Sequence, residues 1–494
     1  MALLLAATAT ALLAPGPARD ARPKAREGPA REAADVAEVD RLRRPLTLRD
    51  CIAIALEKNL TLRIAEAELR RARGLHTASL GRFLPVLSSS ASRQRSVERT
   101  AKLDDTGARI DERSVVESQT ASGGVVQELP GGAVLDVSQA LGPDERQPGR
   151  TRSRGLRATL TQPLLRGAGP TVSLADVRTS GYDASASAQD LIDVRQQTVL
   201  AVRLAYYTVL RDRELLRVNR GALDADSLLV EASNAMVEAK VASRRDILSA
   251  RIRLSDDAST VVTSERDLQL SLDQLKDVMG VPLETELAVA DTGLDVRIVS
   301  LDEQDLIRRV LETHPSLRSA QFAVSHSRLD LAVARNSRWP QLDLEASYLG
   351  SFDSDLNVLD EDRRRGWLAG VSLRLPLFDR AAAGATLVRG AELSQAEDRL
   401  ALLQRQLTLR VRDIVRTVGT SSDEILAIQS TIEAADEKLQ FANAMFNLGR
   451  ASNLDITDAR ASLVKARTQL VRKWVDYHSQ LALLESLTGE PVGP

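Results

Sequence analysis

Hydrophobic and polar positions change period along this chain, and the change occurs twice in the same order. From Gln341, Leu342, Leu344, Ala346 and Tyr348 fall on one face, and Gln341, Asp343, Glu345 and Ser347 on the other. A later segment sets Trp367, Ala369, Val371, Leu373 and Leu375 against Gly370, Ser372 and Arg374. Period two predicts strands. Each run is about ten residues, the length of a tilted membrane strand. Between them, Asp353–Arg365 reads as a charged loop.

Beyond each strand block the period lengthens. Ile425, Ile428, Ile432, Ala435, Leu439, Ala442 and Phe446 step by three and four in turn, as do Leu393, Ala396, Leu400, Leu403 and Leu407 upstream. This is a coiled-coil seam. The extra four-step from Leu407 to Val411 is a stutter, which locally unwinds a supercoil. Leu463, Ala466, Leu470, Trp474, Tyr477, Leu481 and Leu484 continue the seam on a return helix. Residues 173–238 and 384–446 each predict one helix of roughly 90–100 Å. Shorter helices over 46–58 and 62–80 open the pattern, with Thr47 or Thr61 placed to cap them.

The whole plan is duplicated. Pro85 and Pro340 both stand where a helix gives way to strand, 255 residues apart. Leu160-Thr161-Gln162-Pro163-Leu164 matches Leu373-Arg374-Leu375-Pro376-Leu377 at an offset of 213, and Ala242-Ser243, Asp246-Ile247 and Gly280 match Ala451-Ser452, Asp455-Ile456 and Gly489 at 209. Two such copies must pack on one another. The first copy carries extra residues, in which 122–128 and 133–140 predict a further strand pair around the turn Leu129-Pro130-Gly131-Gly132. Whether that pair joins the others or decorates a loop stays open in the sequence.

These boundaries give a signal peptide over 1–18, a disordered leader over 19–44, a first repeat over 45–282, a linker over 283–300 and a second repeat over 301–491. In the first repeat the strands occupy about 85–165 and a long helix pair 173–280; in the second, about 340–378 and 384–488. The apolar stretch before Pro15-Gly16-Pro17-Ala18 supports export, although it lacks a basic start. The lone cysteine, Cys51, sits on an apolar helix face. With 66 basic and 68 acidic residues the chain has no net positive charge to offer nucleic acid. No run reaches the roughly 18–20 apolar residues of a membrane helix, so only strands closed into a barrel could cross a bilayer. Phe83, Trp339, Tyr348, Phe352, Trp367 and Phe378, six of the 14 aromatics, lie in or beside the strands. Phe83, Trp339, Tyr348, Trp367 and Phe378 are candidates for an interfacial girdle.

In this order and spacing the motifs resemble the TolC-like outer membrane efflux proteins, over nearly all of 46–491. The resemblance rests on Leu46-Thr47-Leu48-Arg49-Asp50 and the helix after it, on the proline steps at Pro85 and Pro340, on Pro163-Leu164-Leu165 and Pro376-Leu377-Phe378, and on the turns Lys240–Ile247 and Gly449–Ile456. It implies a mainly α fold with a β-barrel part. Each protomer of a homotrimer would give strands to a shared outer-membrane barrel, usually four, and helices to a periplasmic α-barrel. It implies a passive exit duct for tripartite efflux or type I secretion, in outer-membrane lipid, opened by docking to a periplasmic adaptor and an inner-membrane pump of RND or ABC type.

The resemblance also assigns site residues. Asp455 and Asp458 match an acidic pair lining the periplasmic constriction, where threefold symmetry would make a cation-selecting ring; by itself Asp-x-x-Asp is also an ordinary solvated helix face. Asp246 matches a carboxylate that pairs with an arginine in the closed state. Ala451 stands at that arginine's place, leaving Arg244, Arg245 and Arg450 nearby. Phe446 replaces a tyrosine and suits seam packing. Lys240, Val241, Ala242 and Ser243, with Leu448, Gly449, Ala451 and Ser452, form the tips expected to dock the adaptor. His76, His314, His326 and His478 are scattered without metal-ligand spacing, and the sequence has no phosphate loop or nucleophile motif. Neither enzyme activity, cofactor nor metal is expected. The competing reading is a soluble periplasmic coiled-coil scaffold with hairpin ends.

Overall fold

A computed structural model describes residues 44–103, 109–143, 151–238, 243–290, 299–355, 361–448 and 450–490. The expected signal peptide, the leader up to residue 43, the middle of the linker (291–298) and the tip residues Lys240, Val241, Ala242 and Gly449 lie outside the described residues. The chain divides into two compact units. One takes in residues 1–59, 201–297 and 421–479; the other takes in 60–200, 298–420 and 480–494.

Among the described residues the chain runs α1 (Leu48–Lys58), α2 (Leu60–Gly81), strands β1 (Val86–Leu103), β2 (Arg109–Glu128), β3 (Val134–Pro143) and β4 (Thr151–Pro163), then α3 (Pro170–Ser173), α4 (Ala175–Glu238) and α5 (Arg244–Met279). The second copy repeats this with α6 (Glu303–Thr313), α7 (Pro315–Asn336), β5 (Gln341–Asp355), β6 (Glu361–Arg374), α8 (Arg380–Asn447) and α9 (Asn453–Thr488).

The second unit holds one antiparallel sheet in the order β1-β2-β3-β4-β5-β6. The extra segments therefore enter the sheet itself, and the chain supplies six strands rather than four. The strands also exceed the expected length: β5 runs 15 residues and β6 14. The expected charged loop is mostly strand, because Asp353 pairs with Asp362 and Ser354 with Glu361. Charged residues break the apolar alternation at these strand ends, so the periodicity hid this extension. Gly132 makes the β2–β3 turn possible with φ of 90°, and a Cβ there would stand 2.7 Å from the Gly167 carbonyl oxygen.

Register joins the apolar faces. Leu87 pairs with Val125, Val125 with Val137, Val137 with Ala158, Ala158 with Tyr348 and Tyr348 with Trp367. This gives one row of large side chains across all six strands. All of the row's large side chains are solvent-exposed, Trp367 at 81%. The opposite face carries hydroxyl pairs, Ser90 with Ser122 at 2.8 Å and Ser92 with Thr120 at 2.7 Å.

The first unit is built on α1. Thr47 caps it: the Asp50 amide donates to Thr47 Oγ1 (3.3 Å) and the Thr47 amide donates to Asp50 Oδ2 (3.0 Å). Thr61 caps nothing, because α2 already begins at Leu60. Cys51, Ile54 and Ala55 share the buried face and pack with Val202, Tyr206 and Val209 of α4, Leu275 and Met279 of α5, and Trp474 of α9. Burial pushes the Cys51 thiol up to about 12, so it behaves as a small apolar group. Gly280 ends α5 in the left-handed conformation, φ 70°. The coiled-coil seam is equally visible: Ile425, Ala435, Ala442, Phe446, Leu463, Ala466, Trp474, Tyr477 and Leu484 are buried.

Candidate functional site: the helix tips of the first unit

The two long hairpins begin their return helices with the same device. At α5, the Ser243 amide and hydroxyl both donate to Asp246 Oδ2 at 2.9 Å. At α9, the Ser452 amide and hydroxyl both donate to Asp455 Oδ2 at 2.8 Å. Each aspartate supplies acceptors where the first helical amides lack partners. Hydrogen bonds from the Ser452 backbone, and then from its side chain, hold the Asp455 carboxyl below the usual carboxylate range.

Asp458 is one turn further along α9 and is engaged elsewhere. Lys438 of α8 donates to its Oδ2 at 2.5 Å and reaches Ser462 Oγ at 3.4 Å. Asp455 and Asp458 thus form two separate contacts, and both side chains remain exposed. Arg244, Arg245 and Arg450 are exposed, and no ion pair among the described residues joins any of them to Asp246. Phe446 is buried with Leu229, Ala250, Ala442, Ile456 and Ala459, against partly buried Ala451. Leu448 and Ser243 are exposed at the tips.

Sequence reading overlooked a buried polar line on α4. Asp212, Asn219, Asp226 and Ser233 recur every seven residues, so they share one heptad position, and that spacing was the available signal. Asn219 donates to Ser264 Oγ of α5 (2.8 Å), Asp226 accepts from Arg460 of α9 (2.9 Å), and Ser233 accepts from Asn453 of α9 (2.5 Å). Asp226 and Ser233 are almost wholly buried. Buried polar contacts of this kind fix register at a cost in stability.

No group of acidic, cysteine and histidine side chains suited to a metal occurs among the described residues, and none of the described helices is long and apolar enough to cross a membrane.

Residues 306–490 match the family model described as outer membrane efflux protein. Among characterised relatives, the outer membrane protein TolC of Vibrio cholerae is 23% identical over 300 residues, 60% of this chain and 68% of TolC. The probable efflux pump outer membrane protein TtgC of Pseudomonas putida is 23% identical over 278 residues, 55% of this chain and 56% of TtgC, so the alignment spans little more than half of that relative. The crystal structure of the Campylobacter jejuni CmeC outer membrane channel superposes with a TM-score of 0.68 at 15% identity, over 90% of this chain and 85% of CmeC.

Proposed function

We infer that this chain, whose residues 306–490 match the outer membrane efflux protein family model and whose fold resembles that of the CmeC channel over 90% of its length, is the outer-membrane exit duct of a tripartite efflux or type I secretion system. One observation carries the reading. A six-stranded sheet exposes a continuous apolar row from Leu87 to Trp367, and the outer edges of β1 and β6 are unpaired among the described residues. An open sheet edge cannot remain in lipid, where every backbone group must be satisfied. Copies of the chain resolve this by joining β6 of one to β1 of the next. Three six-stranded sheets make eighteen strands, wider than the barrel the resemblance alone implies.

The aromatic residues support the same placement. Trp339 and Phe378 flank the helix-side ends of β5 and β6, whereas Tyr348 and Trp367 pair further along. The nine residues from Trp339 to Tyr348 correspond to roughly 30 Å of strand. Tilted, that is about the 25 Å between two interfacial girdles. The hydroxyl-lined face opposite would border the aqueous bore. The helix tips would dock a periplasmic adaptor, and an inner-membrane pump of RND or ABC type would supply energy. Asp455, Asp458 and Asp246 would stand near the constriction at those tips. The duct itself performs no catalysis.

The test is the assembly state in the membrane fraction. Unheated protein should run as a trimer and fractionate with the outer membrane, and heating should release monomer. A monomer recovered entirely from periplasmic extract would overturn the duct and favour a soluble scaffold.

A further inference from the structure

Helices α4, α5 and α9 of the first unit meet around a polar cavity of about 120 Å³. Asp226 of α4 faces it with a side chain only 3% exposed. Its Oδ1 accepts from Arg460 Nη1 at 2.9 Å, and the same nitrogen donates to the Ala225 carbonyl oxygen at 2.9 Å. Its Oδ2 has no hydrogen-bond donor. Arg253 Nε of α5 stands 3.7 Å away, too far for a hydrogen bond. The Asp257 carboxyl, also on α5, lines the same cavity as Asp226. Two ionised carboxylates are acceptors only. Arg253 eases the charge at ion-pair distance, but a buried oxygen without a hydrogen bond still carries a desolvation cost.

We propose that Asp226 and Asp257 form a proton-binding site in which one proton, carried by Asp257, supplies the missing donor and fastens α5 to α4. Asn219 and Asp226 face the cavity from α4, Arg253 and Asp257 from α5, and Arg460 from α9, while Asp256 stands outside the lining, exposed. With both carboxylates ionised the lining is neutral, two aspartates against two arginines, so the proton answers the unmet acceptor and not an excess of charge. Burial foremost, then the hydrogen bond to Asp226 and its charge, push the Asp257 carboxyl above the ordinary carboxylate range; Arg253 opposes them. A carboxyl raised in this way tightens the junction while protonated, and the contribution is lost as pH rises through the raised value. Two guanidinium groups at the cavity disfavour a metal cation as the occupant. The site goes beyond the duct reading and stands or falls independently of it, because it concerns packing within one chain.

Hydrogen exchange of the full-length detergent-solubilised protein tests this, corrected for the intrinsic pH dependence of exchange, upward from the ordinary carboxylate value of 3.8 to above neutrality. Amides of residues 219–230 and 250–262 should lose protection as pH rises, by at most about tenfold per pH unit for one proton. Asp257→Asn places a permanent N–H donor in the same volume and should keep those amides protected at every pH. Asp256→Asn, at the exposed neighbour, should retain the wild-type slope. The proposal is overturned if the wild-type protein shows no slope, or if Asp257→Asn keeps the wild-type slope. It also fails if calcium chloride at constant pH restores the protection, since a cation would then fill the site.

Discussion

Lys438 of α8 closes on Asp458 of α9 at 2.5 Å, while Asp455, three residues earlier on the same helix, is held by its own Ser452. The two carboxylates proposed for the constriction therefore differ in how freely they meet a permeating cation. Asp455 is held below the usual carboxylate range, so its capping contribution is present above that range and is lost only as pH falls through the depressed value. In single-channel recordings with a polyvalent cation, Asp455→Asn with Asp458→Asn should relieve block. Lys438→Gln, which frees Asp458, should strengthen it. Unchanged block in the double variant would remove these residues from the permeation path.

Gly280 and Gly489 occupy equivalent places in the two copies and both adopt positive φ, yet alanine should not cost the same at each. A Cβ on Gly280 would lie 2.6 Å from the Lys58 carbonyl oxygen, a backbone atom held at the α1 C-terminus, whereas one on Gly489 would meet the Gln196 side-chain nitrogen at 3.0 Å. Gly280→Ala should cost about 2–3 kcal/mol, combining left-handed strain with displaced backbone. Gly489→Ala should cost about 1–2 kcal/mol, the conformational part alone. Thermal unfolding of the two variants side by side measures the difference, and equal midpoints would count against it.

His314 caps the start of α7, where its Nδ1 accepts the Ser316 amide at 3.3 Å. A protonated imidazole has no acceptor to offer. Burial lowers the His314 pKa, with Asp193 opposing. The sign follows: stability from the neutral ring is complete above the ordinary value of 6.5 and is lost as pH falls below it towards the depressed folded value. Wild-type protein should lose thermal stability on acidification through that window. His314→Asn, which retains a capping oxygen without a titrating ring, should show a shallower loss. Matching slopes would assign the acid sensitivity to other groups.

Much of this architecture is legible in the sequence because period and burial coincide. The strand row through Tyr348 and Trp367, and the seam from Ile425 to Phe446, follow from spacing alone. The ends of β5 and β6 were hidden because Asp353, Asp362 and Glu361 pair beyond any apolar alternation. The β2–β3 hairpin was marked by its turn around Pro130, but its entry into the sheet depends on pairing of β2 with β1 and of β3 with β4, which no local pattern sets. At the tips, Asp246 and Asp455 were visible as acidic residues, but their serine partners emerge only from helix-start geometry. The Asp226 and Arg460 contact joins residues 234 apart in the chain, and its trace in the sequence is a polar residue recurring at one heptad position.

The last prediction separates the two faces of the sheet. Trp367 lies on the apolar row, paired with Tyr348, while the next position on β5, Ser347, points to the opposite face beside Thr159 and Leu368. If the apolar row meets lipid, a charge there must be desolvated or dragged to the interface, costing about 2–4 kcal/mol near the midplane and less towards the headgroups. A charge facing the aqueous bore keeps its water. Trp367→Arg should therefore lower the temperature at which the unheated oligomer dissociates, and reduce the amount recovered in the outer-membrane fraction. Ser347→Arg should leave both near wild type and change conductance instead. If Ser347→Arg proves the more damaging of the two, the sheet faces have been assigned the wrong way round.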